Sequence, residues 1–177
     1  MKTILWATLS ANGNYARASA TQPPKPEATA DFAAQAVAHG NFIVGRNTFD
    51  AFRAQPSRAG NADDTAPGPF ASTTIVVVSA RNLVIAGVQR AATPEEALAV
   101  VRSAGHETAL VAGGAQLNNA FLERDLVDEL VFNVAPTLED QGLKLHLPMG
   151  AHRELEWLAT KPLGGGIVQL RYAVKRG

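Results

Sequence analysis

A pair of adjacent glycines, Gly113 and Gly114, follows an apolar run and leads directly into a stretch with helical spacing. At such a strand-to-helix turn, unpaired backbone N–H groups and the positive end of the helix dipole point at one place. Glycines let the backbone approach a ligand there without a Cβ in the way. The motif therefore predicts an anion site suited to a pyrophosphate, although a tight turn without a ligand explains the same two residues.

A second candidate site begins at Gly45, which ends another short apolar run. Arg46, Asn47 and Thr48 follow, and the pattern continues as a helix through Phe49. Thr48 can donate its hydroxyl to a phosphate, and Arg46 can donate two N–H groups from its guanidinium. The alternative is that Asn47 or Thr48 caps the helix and that Arg46 is solvated.

The third candidate lies at the end of the β-branched run 73–78, where Ser79 and Arg81 follow. Ligands of open α/β sheets gather beyond the carboxyl ends of the strands. A hydroxyl and a guanidinium at this place could bind a 2′-phosphate, which would select NADPH over NADH; the alternative is a solvated loop arginine. Three candidates at the ends of three strands favour one phosphate-rich ligand that spans the sheet.

The elements that must position these motifs alternate along the chain. The apolar run Thr3 to Ser10 predicts a central strand covered on both faces. A helix is expected from Thr29 to Gly40, and Thr93 with Glu96 predicts a capping box at the start of another. Residues 11–28 and 54–72 are expected to be long surface loops, and further strands are expected at 41–44, 73–78, 88–91, 108–112 and 130–135.

The C-terminal part of the chain predicts a β-hairpin, with strands at 155–160 and 167–174 around three consecutive glycines. With the preceding alternation, this indicates one α/β domain over residues 1–177. We expect three layers: a mostly parallel central sheet, helices on both faces, and an antiparallel C-terminal hairpin.

The composition excludes several classes of protein. Lys plus Arg and Asp plus Glu number 16 each, so no basic surface for nucleic acid or anionic membranes is expected. No cysteine is present, and the four histidines lack metal-ligand spacing, so no metal site is expected. No apolar run reaches the roughly 20 residues of a membrane span. We expect a cytoplasmic protein without a nucleic-acid or membrane partner.

Four motifs in order carry a resemblance to a known family. They are Ser10-Ala11-Asn12-Gly13, Gly45-Arg46-Asn47-Thr48-Phe49, Gly113-Gly114-Ala115-Gln116-Leu117, and Val127-Asp128-Glu129-Leu130 leading to Ala135-Pro136 and Gly142. Together they resemble the dihydrofolate reductase superfamily, in particular the branch that contains the C-terminal domain of the bifunctional riboflavin deaminase-reductase. The resemblance covers residues 2–175. It implies a dihydrofolate reductase-like fold and an NADPH-dependent reductase.

The resemblance also implies roles for particular positions. Gly113 and Gly114 match a glycine pair at the cofactor pyrophosphate, which the family often joins by a cis peptide. Arg46 and Thr48 match phosphate contacts, and Ser79 and Arg81 match the 2′-phosphate site. The full set of expected cofactor residues is Ala7, Ser10, Gly13, Gly45, Arg46, Asn47, Thr48, Ser79, Arg81, Gly113, Gly114, Ala115, Gln116 and Leu117.

Two polar residues are candidates for the chemistry. Classical dihydrofolate reductases use a carboxylate on the first helix, and Asp31 is placed for that role as a proton donor or relay. The alternative is that Asp31, after a Thr29 cap, only complements the helix dipole. Asn133, a polar residue in an apolar strand, contacts either the substrate or Asp31, or satisfies a neighbouring backbone group. The riboflavin-type pattern has Asp where this chain has Asn12.

The expected activity is hydride transfer from NADPH to a C=N or C=C bond of a small pyrimidine- or pterin-type heterocycle. The alternatives are a true dihydrofolate reductase and a nucleotide-binding protein of the same fold that has lost catalysis. Members of this branch usually form dimers. We expect a homodimer that buries a hairpin edge formed by Ile167, Val168, Leu170, Tyr172 and Val174.

Overall fold

The described residues form eight strands and four helices, which alternate along most of their length. The computed structural model describes residues 1–15, 24–54, 70–140 and 142–175. The strands are β1 Lys2–Ser10, β2 Asn41–Gly45, β3 Thr74–Val78, β4 Val88–Ala91, β5 Thr108–Val111, β6 Glu129–Ala135, β7 Leu155–Gly164 and β8 Ile167–Val174. The helices are α1 Pro26–His39, α2 Arg46–Arg53, α3 Pro94–Ser103 and α4 Ala115–Glu123.

The strands form one sheet in the order β4-β3-β2-β5-β1-β6-β8-β7. The first six strands in this order are parallel, whereas β8 runs antiparallel to β6 and β7 antiparallel to β8. The carboxyl ends of the parallel strands therefore meet at one edge, where the three candidate phosphate motifs lie. The fold class expected from the sequence is confirmed.

Two apolar clusters, one on each face of the sheet, make the domain three layers thick. Strand β1 contributes to both, because successive side chains of a strand point to opposite faces. Ile4 and Trp6 pack in the cluster with α1 and α2, and Leu5 and Ala7 pack in the cluster with α3 and α4. Burial on both faces explains why the first strand is a continuous apolar run.

Helix α1 begins earlier than the sequence pattern predicted. Pro26 occupies its first position, where a missing N–H costs nothing, and the extended Lys25 precedes it. Asp31 consequently lies in the second turn and does not follow a Thr29 cap. The start of α3 is as predicted, since Thr93 accepts a hydrogen bond from the Glu96 N–H and the Glu96 carboxylate accepts one from Ala92.

The two predicted loops lie partly outside the described residues, at 16–23 and 55–69. Within the described part, Phe70 is 1% exposed and its ring lies 5.9, 5.4 and 5.8 Å from those of Phe32, Phe42 and Phe52. The prediction of a surface loop over 54–72 is therefore wrong at Phe70. A single aromatic residue among small and polar ones has no periodicity that could have shown its burial.

The C-terminal hairpin forms as expected, but its exposed edge differs from the prediction. Strand β8 lies between β6 and β7, so its apolar residues are inside the sheet. Strand β7 is the edge, and its exposed apolar side chains include Trp157 at 63% and Leu158 at 41%. None of the helices in the described ranges is long and apolar enough to cross a membrane.

Glu129, at the start of β6, is a carboxylate that is only 1% exposed. It forms ion pairs with Lys2 of β1 and Arg171 of β8. Burial raises the pKa of Glu129, but the hydrogen bonds and charges of Arg171 and Lys2 outweigh it and hold the pKa below its usual value. These contacts tie β6 to the strands on either side of it.

We expect Glu129→Gln to lower the free energy of unfolding by about 1–3 kcal/mol near neutral pH, because charge-assisted bonds to two cations are lost. Since the folded-state pKa is depressed, the carboxylate stabilises the fold above the ordinary glutamate pKa. Its contribution disappears as the pH falls through the folded-state value. Urea unfolding of both proteins across the acid range checks this, and the difference between them should shrink as the pH falls.

The control for this experiment is Glu154→Gln, which makes the same change at an exposed carboxylate 3.7 Å from the Lys175 ammonium. Its effect should stay below about 1 kcal/mol at any pH. A stability difference for Glu129→Gln that is constant from neutral to acid pH would contradict the role assigned to its charge.

Candidate active site

The two glycine motifs, separate in the sequence, touch each other in the structure. The Gly45 N–H donates to the Gly113 carbonyl oxygen at 2.7 Å. A Cβ on Gly45 would lie 3.6 Å from the Leu117 Cβ and 3.7 Å from that same carbonyl. Strands β2 and β5 are neighbours in the sheet, so the starts of α2 and α4 lie side by side. Two of the three predicted phosphate motifs thus lie side by side.

The two adjacent glycines are needed for different reasons. Gly113 has a φ of 91°, and a Cβ there would lie 2.1 Å from the Tyr15 hydroxyl. Gly114 has a φ of −70°, which any residue adopts, but its Cβ would lie 2.7 Å from the Thr48 Oγ1. The peptide between the two glycines is cis. The backbone at Gly114 therefore borders a narrow space that the Thr48 hydroxyl also lines.

The first turns of α2 and α4 have no side-chain cap. Gly45 and Gly114 are the N-cap residues, and neither supplies a side-chain hydrogen bond. Asn47 and Thr48 are exposed in the first turn of α2. The Arg46 Nε instead donates to the Asp50 carboxylate at 2.7 Å, along its own helix. The two helix starts therefore offer backbone N–H groups and one hydroxyl to an anion, while Arg46 is directed elsewhere.

The segment after β3 is held by an arginine that the sequence reasoning missed. The Ser79 hydroxyl donates to the Arg81 carbonyl and accepts from the Arg81 N–H, so it closes a local turn. Arg90 of β4 donates from Nε to the carbonyls of Ser79 and Arg81, both at 3.1 Å. The Arg81 side chain is exposed, and within the described ranges no residue pairs with its guanidinium. Arg81 is thus available to a ligand, and Arg90 fixes the backbone that carries it.

The turn after β1 is internally bonded. Ser10 is 1% exposed, and its hydroxyl donates to Asn12 Oδ1 at 2.8 Å and accepts from the Asn14 N–H at 3.0 Å. Gly13 has a φ of 80°. The Asn12 side-chain amide donates to the Glu139 carbonyl at 2.8 Å, which a carboxylate could not do. Asn therefore suits this turn, where the riboflavin-type pattern has Asp.

Several predicted cofactor residues have side chains directed into the protein. Ala7 is fully buried in the cluster with α3 and α4, and Ala115 and Leu117 of α4 are buried as well. Gln116 between them is exposed. At Ala7, Ser10, Ala115 and Leu117, only the backbone could meet a ligand.

Asp31 is the centre of a hydrogen-bonded cluster on the α1 face of the sheet. Its Oδ2 accepts from the Trp6 indole Nε1 at 2.8 Å, the Gln169 Nε2 at 2.9 Å and the Asn133 Nδ2 at 3.2 Å. Gln169 Nε2 also donates to Asn133 Oδ1 at 2.9 Å. The contact between Asp31 and Asn133 was one of the alternatives open from the sequence. Trp6 and Gln169 were missed, although Gln169 is, like Asn133, a polar residue in an apolar strand.

Beside this cluster one buried polar atom has no partner. Thr8 lies opposite Asn133 in the register of β1 and β6. Its Oγ1 is buried and forms no hydrogen bond with any residue that the structure describes. No described residue donates to the Oδ1 of the partly exposed Asp31 either. Among the described residues, the polar row Thr8, Asn133, Gln169 therefore contains one hydroxyl without a partner.

The Tyr15 side chain packs against Gly113 in the glycine turn. Burial raises the pKa of its phenol, and the hydrogen bond from Asn118 Nδ2, at 3.4 Å, only partly offsets this, so the group stays neutral. The same Asn118 nitrogen reaches the Trp6 carbonyl at 3.4 Å. Within the part of the chain described, no three His, Asp or Glu side chains lie close enough together to hold a metal ion.

The family model of the RibD C-terminal domain matches residues 2–139. A comparison with curated proteins finds no match. A protein assigned to riboflavin biosynthesis from Shewanella sp. PV-4 is 22% identical with a TM-score of 0.74, and the match covers 99% of this chain and 100% of that chain.

Two further solved structures have the same fold. RibD from Acinetobacter baumannii is 21% identical with a TM-score of 0.70, and the match covers 99% of this chain but 58% of that chain. Dihydrofolate reductase from Enterococcus faecalis is 18% identical with a TM-score of 0.70, and coverage is 99% and 97%. The resemblance expected from the sequence motifs is confirmed, and this chain belongs to the RibD C-terminal domain family.

Proposed function

We propose that the protein is a cytoplasmic NADPH-dependent reductase that transfers a hydride to a C=N or C=C bond of a small pyrimidine- or pterin-type heterocycle. The observation that carries this proposal is the hydrogen bond between Gly45 and Gly113, at 2.7 Å. It joins two uncapped helix starts into one anion site at the carboxyl edge of the sheet. The Asp31 cluster lies on the other side of β1 from this site, where Asp31 contacts β6 and β8.

The residues of the glycine site fit a dinucleotide. Backbone N–H groups at the starts of α2 and α4, with the Thr48 hydroxyl, would hold the pyrophosphate. Gly114 supports this role because a Cβ there would fill the space beside Thr48. The exposed guanidinium of Arg81 would bind the 2′-phosphate, from a backbone that Arg90 fixes. When bound, NADPH supplies the hydride.

The Asp31 cluster would bind and protonate the heterocycle. The N–H donors of Trp6, Asn133 and Gln169 are used inside the cluster. Oδ1 of Asp31 remains as an acceptor. Such an acceptor suits an amino group or a ring N–H of a pyrimidine or pterin. Asp31 would relay a proton from solvent to the atom of the reduced bond that does not take the hydride, and Asn133 would keep the carboxylate in place.

Related proteins support a reductase. A Thermotoga maritima protein with the same fold is described as a deaminase and 5-amino-6-(5-phosphoribosylamino)uracil reductase, at 12% identity and a TM-score of 0.69. A Saccharomyces protein is described as riboflavin biosynthesis reductase Rib7, at 16% identity and a TM-score of 0.63. A true dihydrofolate reductase and an inactive nucleotide-binding protein are the other outcomes that the first experiment below distinguishes.

We expect the purified protein to oxidise NADPH in the presence of at least one member of a panel of aminopyrimidines, pterins and cyclic imines. NADPH should bind at least tenfold tighter than NADH, by fluorescence titration. Arg81→Ala should remove most of that preference, which corresponds to about 1.5–3 kcal/mol for a charge-assisted contact. Turnover of dihydrofolate alone would indicate a true dihydrofolate reductase, and NADPH binding without any turnover an inactive relative. Equal affinity for the two cofactors would exclude the role given to Arg81.

Gly114→Ala should weaken NADPH binding ten- to a hundredfold, or about 1.4–2.7 kcal/mol, because the methyl group enters the space beside Thr48 where a phosphate would lie. The fold should survive, because the φ of Gly114 suits alanine and the exposed Thr48 side chain can rotate its hydroxyl away from the added methyl group. Gly105→Ala is the matched control: Gly105 has a φ of 88° and open space around its Cβ position. It should lower stability by about 1 kcal/mol and leave binding unchanged. A Gly114→Ala protein that melts early but binds NADPH normally would show that the glycine pair has a purely structural role.

We also propose that the protein forms a two-fold homodimer through β7, whose outer edge pairs with no described strand and whose side chains are mostly exposed. Light scattering at micromolar concentration should give the mass of a dimer. Trp157→Asp should give a folded monomer, because a charge would replace an apolar side chain at the edge. Val84→Asp changes a residue that is 97% exposed outside the sheet, and this variant should remain dimeric. A wild-type monomer would be inconsistent with the proposal.

A further inference from the structure

Gln169 of β8 uses both hydrogens of its side-chain amide inside the Asp31 cluster. Its Nε2 lies 2.9 Å from Asp31 Oδ2 and 2.9 Å from Asn133 Oδ1. The residue is 8% exposed, so these bonds form away from bulk water. A buried amide that donates both hydrogens to two neighbours holds those neighbours in a fixed relation to each other.

This arrangement determines the orientation of Asn133. With its Oδ1 facing Gln169, Asn133 must present Nδ2 to the Asp31 carboxylate, at 3.2 Å. The opposite orientation would place two oxygens against each other and an amide nitrogen against the Gln169 nitrogen. Gln169 therefore prevents rotation of the Asn133 side-chain amide.

Gln169 also determines which oxygen of Asp31 is left over. Oδ2 receives hydrogen bonds from Trp6, Asn133 and Gln169. A carboxylate oxygen with three donors has no lone pair well placed for a fourth. Oδ1, to which no residue of the described segments donates, is then the oxygen that a ligand can reach.

We propose that Gln169 is a positioning residue of the active site, which orients Asn133 and directs Asp31 Oδ1 to the N–H groups of the substrate. This role rests on the proposed function. The register between β6 and β8 supports this role, because it sets Gln169 directly opposite Asn133. The antiparallel addition to the parallel sheet thus supplies part of the site, since a group must be held by its neighbours to act with fixed geometry.

The first measurement needs no substrate. The chain has two tryptophans, and Trp157→Phe assigns the indole N–H resonance of Trp6, which donates to Asp31. In that background, Gln169→Met keeps the length of the side chain but removes both donors. We expect the Trp6 indole resonance to move, because its acceptor is released. Gln89→Met, the same change at an exposed position of β4, should leave it in place.

The second measurement uses turnover. Gln169→Met should lower kcat/KM about ten- to a hundredfold, as expected for lost bonds to a charged group, and should leave the Kd for NADPH within about twofold. In an Asp31→Asn background the same substitution should have little further effect, because the two residues act as a unit. A purely structural glutamine would lower stability and would show the same effect in both backgrounds.

If Gln169→Met does not fold, Gln169→Asn replaces it, since Asn keeps the amide but is one methylene too short to bridge Asp31 and Asn133. An unchanged Trp6 resonance in the folded variant, or equal losses of kcat/KM in both backgrounds, would overturn the proposal. If the wild-type protein reduces no substrate, the proposed function fails. The Trp6 resonance then still decides whether Gln169 positions Asp31.

Discussion

Strand β1 lies between β5 and β6 and is covered by helices on both faces. Ile4, Leu5, Trp6 and Ala7 are all 9% exposed or less, and full burial of a large apolar side chain contributes about 1.5–3 kcal/mol. A shift of one residue in its register would exchange the side chains on the two faces and lose this burial. The register is therefore strongly specified, and it fixes the position of every group that β1 carries to the site.

That register is what connects the two halves of the candidate site. On one face, the Trp6 indole reaches Asp31 of α1, and Thr8 lies beside Asn133 of β6. The Trp6 backbone carbonyl also accepts a hydrogen bond from the side chain of Asn118 in α4, the helix that follows the glycine pair. One residue thus contacts both the Asp31 cluster and the helix that follows the glycine pair. The proposed hydride donor and acceptor would bind on either side of a strand whose placement the core determines.

Features that depend on local chemistry could be predicted from the sequence. Gly113 needs a backbone conformation that only glycine adopts readily, and the capping box at Thr93 is a contact over three residues. Asp31 could be identified as a candidate because a carboxylate stands beside the buried face of a helix. The order of helices and strands followed from the change of hydrophobic period along the chain.

Features that depend on register between distant strands could not be predicted. Gln169 is 138 residues from Asp31 and 36 from Asn133, and no local pattern states which strand lies beside which. The same holds for Arg90, which acts across the turn between β3 and β4, and for Phe70, whose aromatic neighbours come from other elements. The position of β8 inside the sheet could not be predicted either, because a hairpin pattern does not indicate which of its two strands pairs with the rest of the sheet.

The pairing of β7 with β8 contains two irregularities, between Trp157 and Ala159 and between Pro162 and Gly164. Each interrupts the even row of N–H and C=O groups that a straight edge would offer to another chain, and Pro162 has no N–H to donate. An edge of this kind can join a partner over a short stretch but cannot template a growing fibre. In the folded protein, the two bends would therefore also limit amyloid-like stacking of one molecule on the β7 edge of another.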